Sequence, residues 1–181
     1  IAECLVGSEM CIRDRYSNTA RDLGLEVDET LKFHSHIQIV SNKAFGVSND
    51  LLRNTICRSP EFMKTLFITH IRPIIDFCSP IWNTGYLTDI KSLESVQRRW
   101  TKHITGFENL SYHTRLKRLS LFSIWGRLHR ADLILVWKIF NNKIPTLSNF
   151  LTLSNITQTR GHPFKLPTIR PNTEIRKRFF T

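Results

Sequence analysis

The sequence is poor in acidic side chains relative to basic ones. Its 181 residues contain 15 Asp and Glu against 26 Lys and Arg, which gives a formal charge of +11. This excess favours a polyanionic partner, either a nucleic acid or an anionic membrane surface. It does not constrain the fold, because net charge bears on solubility and association rather than on architecture.

The sequence also has few cysteines and no long apolar run. Cys4, Cys11, Cys57 and Cys78 form no CxxC pair, and the histidines do not complete a zinc pattern. We therefore expect free thiols in a reducing, intracellular compartment. No run approaches the ~20 apolar residues that cross a bilayer, and no secretory signal is seen at the N-terminus. We expect no membrane partner.

Common catalytic motifs are missing. The sequence has no Gly-rich phosphate loop, no GxSxG and no HExxH. The aspartates are scattered, and no adjacent acidic pair is placed to hold two magnesium ions. His34 and His36 are two residues apart, which points them to different sides of a helix. The sequence therefore predicts no catalytic residue and no metal ligand. An enzyme that uses His34, His36 and Asp76 is a third hypothesis, which their spacing does not favour.

Apolar periodicity predicts a mainly helical bundle. Apolar residues recur three and four positions apart over much of the chain, and Pro73 should kink or break the second helix. Leu23, Leu25 and Val27 alternate with other residues, which is typical of a short strand. The predicted helices cover about 35–56, 59–78, 88–104, 111–119 and 121–141.

The chain divides into four predicted segments. Residues 1–15 fit nothing downstream and are expected to be translated adapter sequence, without order of their own. Residues 16–33 hold the strand, and residues 34–141 form the helical domain. Residues 142–181 are expected to form an irregular basic tail, whose sequence allows short strands near Phe164 and Ile175 and a short hairpin. Both ends of the chain look cut.

The third predicted helix contains the stretch LESVQRRWTKHITG. Lys91, Arg98 and Lys102 are seven and four residues apart, so they share one side, and Arg99 broadens it. Trp100 lies on the opposite, apolar side and should anchor the core. Phosphate contact by the cations competes with a plain solvated surface, since Glu94 precedes Arg98 by four residues and would stabilise the helix.

A second cluster of basic residues follows in the short fourth helix, where Arg115, Lys117 and Arg118 occur together. Cations on consecutive packed helices suit a module that follows the backbone of a duplex. Binding of that kind depends on salt rather than on base sequence.

Several blocks in a fixed order resemble one known family. They are DLGLEVDETLKFHSHI, RPIIDFCSPIWN, LESVQRR and RADLILVWKI. Together they resemble the region after the catalytic palm in reverse transcriptases of LINE-like retrotransposons, which lack long terminal repeats and include jockey-type elements. The resemblance runs from about Asp22 to the end of the chain.

The resemblance implies a polymerase thumb, the helical domain that clamps the template–primer duplex. Leu23 and Gly24 would belong to the strand turn that holds the primer end. The cations expected to contact the RNA–DNA duplex are Lys91, Arg98, Arg99, Lys102, Arg115 and Arg118. The missing palm and fingers domains of the parent would be further partners.

The resemblance also implies that this chain is inactive by itself. The complete parent would be an RNA-directed DNA polymerase that uses two magnesium ions, in the nucleus or the cytoplasm. Its paired-aspartate motif, YxDD, belongs before residue 22 and is missing from this sequence. The fragment should therefore hold no cofactor. The alternative hypothesis is a helical protein-interaction module whose charge only promotes solubility.

Overall fold

The computed structural model describes residues 18–145 and Asn172, and this part of the chain is mainly helical. A two-stranded antiparallel sheet precedes the helices. The predicted fold class, a helical bundle with a short N-terminal β element, is therefore confirmed. The proposed adapter segment and the strands predicted near Phe164 and Ile175 lie outside the described residues.

The elements follow one another in chain order, and a π-helical segment, Phe67–Ile71, joins the second helix to the third. The strands and helices are β1 Thr19–Asp22, β2 Leu25–Asp28, α1 His34–Asn54, α2 Pro60–Leu66, α3 Arg72–Asp76, α4 Ser79–Trp82, α5 Leu87–Lys102, α6 Tyr112–Leu119 and α7 Ile124–Phe140.

The two strands form a tight hairpin. Asp22 pairs with Leu25, so Leu23 and Gly24 alone make the turn. Both have positive φ angles, 46° and 91°, as two-residue hairpin turns that match the strand twist require. Leu23 therefore lies in the turn and not in the strand predicted for it. A leucine rarely adopts this conformation, which costs free energy that glycine avoids.

Serine side chains define two helix starts. The Ser111 hydroxyl accepts the backbone N–H of Thr114 at the start of α6, and the Ser123 hydroxyl accepts that of Gly126 at the start of α7. Each bond satisfies one of the N–H groups that a helix N-terminus leaves unpaired. Pro60 occupies the first position of α2, where its missing N–H is of no consequence.

The π-helical segment keeps residues spaced by four on one buried side of the helix up to Pro73. Met63, Phe67, Ile71 and Ile75 are all fully buried, although an α-helix rotates a four-residue spacing by about 40° at each step. The wider π turn takes up part of that rotation, since its hydrogen bonds span five residues. The Arg72 N–H accordingly donates to the Phe67 carbonyl. The helix is thus distorted before Pro73 rather than ended by it.

Helix α5 lies at the centre of the core. Its inner face, which includes Leu93, Val96 and Trp100, is buried, and α5 contacts α1, α6 and α7. The Trp100 indole N–H donates to the Met63 carbonyl at 3.1 Å, and its ring lies 6.3 Å from that of Phe67. The prediction that Trp100 anchors the core is confirmed.

Two further observations concern the described part of the chain. None of its helices combines the length and the apolar character needed to cross a membrane. Cys57 is exposed and Cys78 half-buried, and both are free thiols. Cys4 and Cys11 lie outside the described residues.

We expect Trp100→Phe to lower the free energy of unfolding by about 2 kcal/mol, because it removes a buried hydrogen bond and leaves space beside Phe67. Urea denaturation measures this change. The control is Trp137→Phe on α7, where the ring is 58% exposed and the change should stay within about 0.5 kcal/mol. Equal effects at the two positions would contradict the role given to Trp100.

Candidate nucleic-acid interface

One side of α5 carries three exposed cations in a line. Lys91, Arg98 and Lys102 are all exposed. At 3.6 residues per turn they lie within about 40° of one another, and at 1.5 Å per residue they span about 17 Å of helix. Arg99 is exposed beside them. We call Lys91, Arg98, Arg99 and Lys102 the α5 cationic face.

Aromatic rings from neighbouring helices restrain two of these cations. The Arg98 guanidinium lies over the Tyr112 ring of α6, 4.4 Å from its centroid. Arg99 lies 6.0 Å from the centroid of Phe45 in α1. Such cation–π contacts are favourable and leave the charge accessible to water. The two arginines are therefore partly ordered before any ligand arrives.

No carboxylate neutralises the α5 cationic face within the part of the chain that the structure describes. The ion pairs there join His34 to Asp89 at 2.6 Å and Arg127 to Asp76 at 2.5 Å. Glu94, predicted to support Arg98, instead turns inward. An uncompensated row of cations gives a positive potential that attracts polyanions.

Glu94 is a buried acid with two donors. Its carboxylate accepts the Tyr112 hydroxyl and, at 3.3 Å, the backbone N–H of Trp125 in the first turn of α7. Burial, reinforced by the Glu94 carboxylate, raises the pKa of the Tyr112 phenol above its ordinary value. The Glu94–Tyr112 pair therefore links α5, α6 and α7 directly behind Arg98.

Arg115 was expected to contact phosphate, but its side chain does not face solvent. Its side chain is buried, and Nη1 donates to the Arg98 carbonyl at 2.8 Å and to the Thr101 hydroxyl at 3.0 Å. The guanidinium thus joins α6 to α5 instead of facing solvent, because the apolar side of α6 is short and Arg115 falls within it. Arg118 is exposed and lies about 60° from Arg115 around the helix.

The predicted primer-contact residues form the tip of the hairpin. Leu23 is 88% exposed, and a Cβ added to Gly24 would lie 3.5 Å from the Phe77 ring. The Glu26 N–H donates to His36 Nδ1 at 3.2 Å, which ties β2 to α1. Helix α1 also contacts α5. One helix therefore supports both the hairpin and the α5 cationic face.

The block RPIIDFCSPIWN contacts helix α7, which contains the block RADLILVWKI. Arg127 Nε lies 2.9 Å and 2.7 Å from the two carboxylate oxygens of Asp76, and the Asn83 amide donates to Asp132 at 2.9 Å. Burial raises the pKa of Asp132 despite that bond. The block RPIIDFCSPIWN thus contacts α7 twice. Asp76 of α3 meets Arg127, which precedes the block RADLILVWKI, and Asn83 after α4 meets Asp132, which lies within it.

The histidines considered for an enzyme are separated by their contacts. His34 pairs with Asp89, whereas His36 accepts from the Glu26 backbone. Asp76 is engaged by Arg127. Within residues 18–145, no group of three or more His, Cys, Asp or Glu side chains is arranged to hold a metal ion.

Helix α7 presents a second, apolar surface. Trp125, Leu133 and Trp137 are exposed on it, and helical geometry places all three within one 120° sector. We call these residues the α7 outer face. Exposed aromatic and aliphatic side chains grouped in this way are typical of protein contact sites.

Comparison with known proteins assigns no function. No family model matches the sequence, and no solved structure matches it. An uncharacterized protein of Caenorhabditis elegans is 28% identical over 110 residues, which cover 59% of this chain and 56% of that protein. The chain thus spans little more than half the length of this relative.

Sequence reasoning alone did not identify Glu94 and Tyr112 as partners. They are 18 residues apart on different helices, and no periodic pattern connects them. We expect Tyr112→Phe to lower the free energy of unfolding by about 2 kcal/mol, because a buried carboxylate loses a donor. The retained ring should keep Arg98 in place.

A double-mutant cycle with Glu94→Gln, followed by urea denaturation, tests this pair. Because the residues are in contact, the two losses should not add, and the cycle should give a coupling of at least about 0.5 kcal/mol. Additive losses would show that the two side chains act independently.

The buried His36 makes stability depend on pH. Burial lowers its pKa from the ordinary value of 6.5, and Glu26 opposes this shift. The unfolded chain therefore binds more protons than the folded one below about pH 6.5. The contribution of His36 to stability is present above that pH and is lost as pH falls towards 5.

Urea denaturation between pH 7.5 and pH 5 measures this effect. Replacing His36 by Gln should reduce the difference in unfolding free energy between pH 7.5 and pH 5, since glutamine does not titrate. The matched variant His103→Gln changes an exposed histidine. If His103→Gln flattens the profile as much as His36→Gln does, the buried ring is not responsible.

Proposed function

We propose that this chain is a fragment of an RNA-directed DNA polymerase from a LINE-like retrotransposon, and that its helical body binds the backbone of a template–primer duplex. The α5 cationic face is the observation that carries the proposal. Three aligned cations, none of them in an ion pair within the described part of the chain, form a surface complementary to a phosphate backbone. The order of the sequence blocks supports the proposed family.

The dimensions of the α5 cationic face suit a nucleic-acid backbone. Its length of about 17 Å equals about five nucleotide steps at 3.4 Å of rise per strand. Contacts to phosphate position a protein on a duplex but do not read its sequence. A thumb that must move along many templates needs binding of that kind.

The contact residues that we propose are Lys91, Arg98, Arg99 and Lys102, with Arg118 at the edge. Arg115 is left out because its buried guanidinium donates hydrogen bonds to α5. Leu23 and Gly24, at the hairpin tip, are proposed to meet the primer end, and the missing palm and fingers would complete the enzyme. The strained, exposed turn at Leu23 supports this assignment, since strained backbone conformations cluster at functional sites.

We propose no catalysis by this chain alone. Asp76 is paired with Arg127, and the Asp28 carboxylate accepts the Thr30 hydroxyl and the Lys32 N–H. These acids occupy separate parts of the structure and do not fit a site for two magnesium ions. The metal ions of the proposed parent would be held by residues outside this sequence. We place the parent in the nucleus or the cytoplasm, where its nucleic acids are found.

The second candidate function is a helical protein-interaction module. The α7 outer face supports it, because Trp125, Leu133 and Trp137 are exposed together. Under this alternative the cations only increase solubility. Binding to an RNA–DNA hybrid should then be no tighter than binding to heparin.

The proposal predicts the salt dependence of binding to an RNA–DNA hybrid. Fluorescence anisotropy of a labelled hybrid gives the slope of log Kd against log salt for the full chain. Each of Lys91→Gln and Lys102→Gln should lower that slope by about one unit, since each removes one phosphate contact. The control Lys138→Gln removes an exposed cation on α7 and should leave the slope unchanged.

Two results would contradict the proposed interface. One is a loss of slope in Lys138→Gln equal to that in the α5 variants, which would indicate a diffuse charge effect. The other is equal affinity for heparin and for the hybrid, which would favour the interaction module.

A further inference from the structure

A cavity of about 470 Å³ lies between the hairpin and the helices α1 and α3. Its volume falls within the range of about 300–1,000 Å³ that is usual for small-molecule sites. The hairpin contributes Arg21, Gly24 and Glu26 to its lining. This cavity takes no part in the proposed contact of α5 with a duplex.

One wall of the cavity is apolar. Ile39 and Val40 come from α1, and Ile74 and Phe77 come from α3 and the residue that follows it. Flat and branched apolar side chains of this kind favour an aromatic or branched aliphatic body.

The rim of the cavity carries an excess of positive charge. Arg21 and Lys43 are exposed there, and Glu26 is the one acid among the lining residues. Neither cation belongs to an ion pair of the described residues. Two cations against one carboxylate leave a net charge of about +1, which suits a monoanion better than a dianion.

His36 adds a donor that the protein does not use. The residue is 4% exposed and lines the cavity. Its Nδ1 accepts the Glu26 N–H, so the neutral ring carries its proton on Nε2. Nε2 is buried and has no partner within the described structure. That donor is shielded from solvent, so a ligand in the cavity would be held by the rim cations and the apolar wall.

We propose that this cavity is a binding site for a small carboxylate with an aromatic or branched aliphatic body. The body packs between Val40, Ile74 and Phe77, and the carboxylate lies between Arg21 and Lys43. The ligand would contact both the hairpin and α1. It would therefore stabilise the hairpin against the helical body. The site shares Gly24 with the proposed primer contact and uses none of the cations of the α5 cationic face.

The probe is 1-naphthoate, with the uncharged 1-naphthamide as its matched control. Titration of the full chain, followed by the backbone amide resonances in NMR, should show saturable shifts at Gly24, Glu26 and Val40. The small size of the probe implies a Kd on the order of 1 mM. The amide should bind at least about tenfold more weakly, since it lacks the charge.

Two variants separate the charge from the cavity. Lys43→Glu reverses an exposed rim charge and should weaken binding by about tenfold, whereas Lys138→Glu on α7 should not change it. Ile39→Trp fills the half-exposed wall and should abolish binding without altering any charge.

Three results would overturn the proposal. They are shifts that do not saturate by about 10 mM probe, equal binding of naphthoate and naphthamide, and equal weakening by Lys43→Glu and Lys138→Glu. Retained binding in Ile39→Trp would place the ligand elsewhere and would overturn it as well.

Discussion

The inner side of α5 is joined to its neighbours by hydrogen bonds from side chains to backbone, and the rest of the fold depends on these contacts. The Trp100 indole donates to the Met63 carbonyl, and the Gln97 amide donates to the Phe122 carbonyl at 2.9 Å. Glu94 accepts the Trp125 N–H at the start of α7. Each bond holds a backbone group of a neighbouring segment in a fixed position relative to α5. The direction of the outer side of α5 is thereby fixed as well.

The two sides of α5 affect the stability of the folded state in opposite directions. The buried side contributes apolar area and satisfied hydrogen bonds, which stabilise the folded state. The α5 cationic face contributes repulsion among Lys91, Arg98 and Lys102, because none of them belongs to an ion pair within residues 18–145. Self-repulsion of that kind destabilises a compact state. A bound polyanion would remove the repulsion. The same charges would therefore destabilise the free protein and stabilise the proposed complex.

Elements with a local sequence pattern were predicted correctly. Features that depend on tertiary contacts were not. Helix α5 was predicted within about two residues at each end because its apolar spacing persists over four turns. Residues 79–87 lie outside the predicted helices, yet Ser79–Trp82 forms a helical turn, since proline is compatible with the start of a helix. The burial of Arg115 depends on acceptors in another helix, which no local pattern reveals. The proposed contacts on α5 follow from spacing alone, whereas the cavity beside the hairpin required coordinates.

The π-helical segment at Phe67–Ile71 has a consequence for comparison among relatives. A π turn is equivalent to one extra residue within an α-helix. A homologue without that residue would have an unbroken α-helix here, and its later residues would lie on the same sides of the helix as in this chain. Alignments of related chains should therefore allow a single-residue gap between Phe67 and Ile71. An alignment without that gap would shift the buried positions that follow it, Ile75 among them, by one residue.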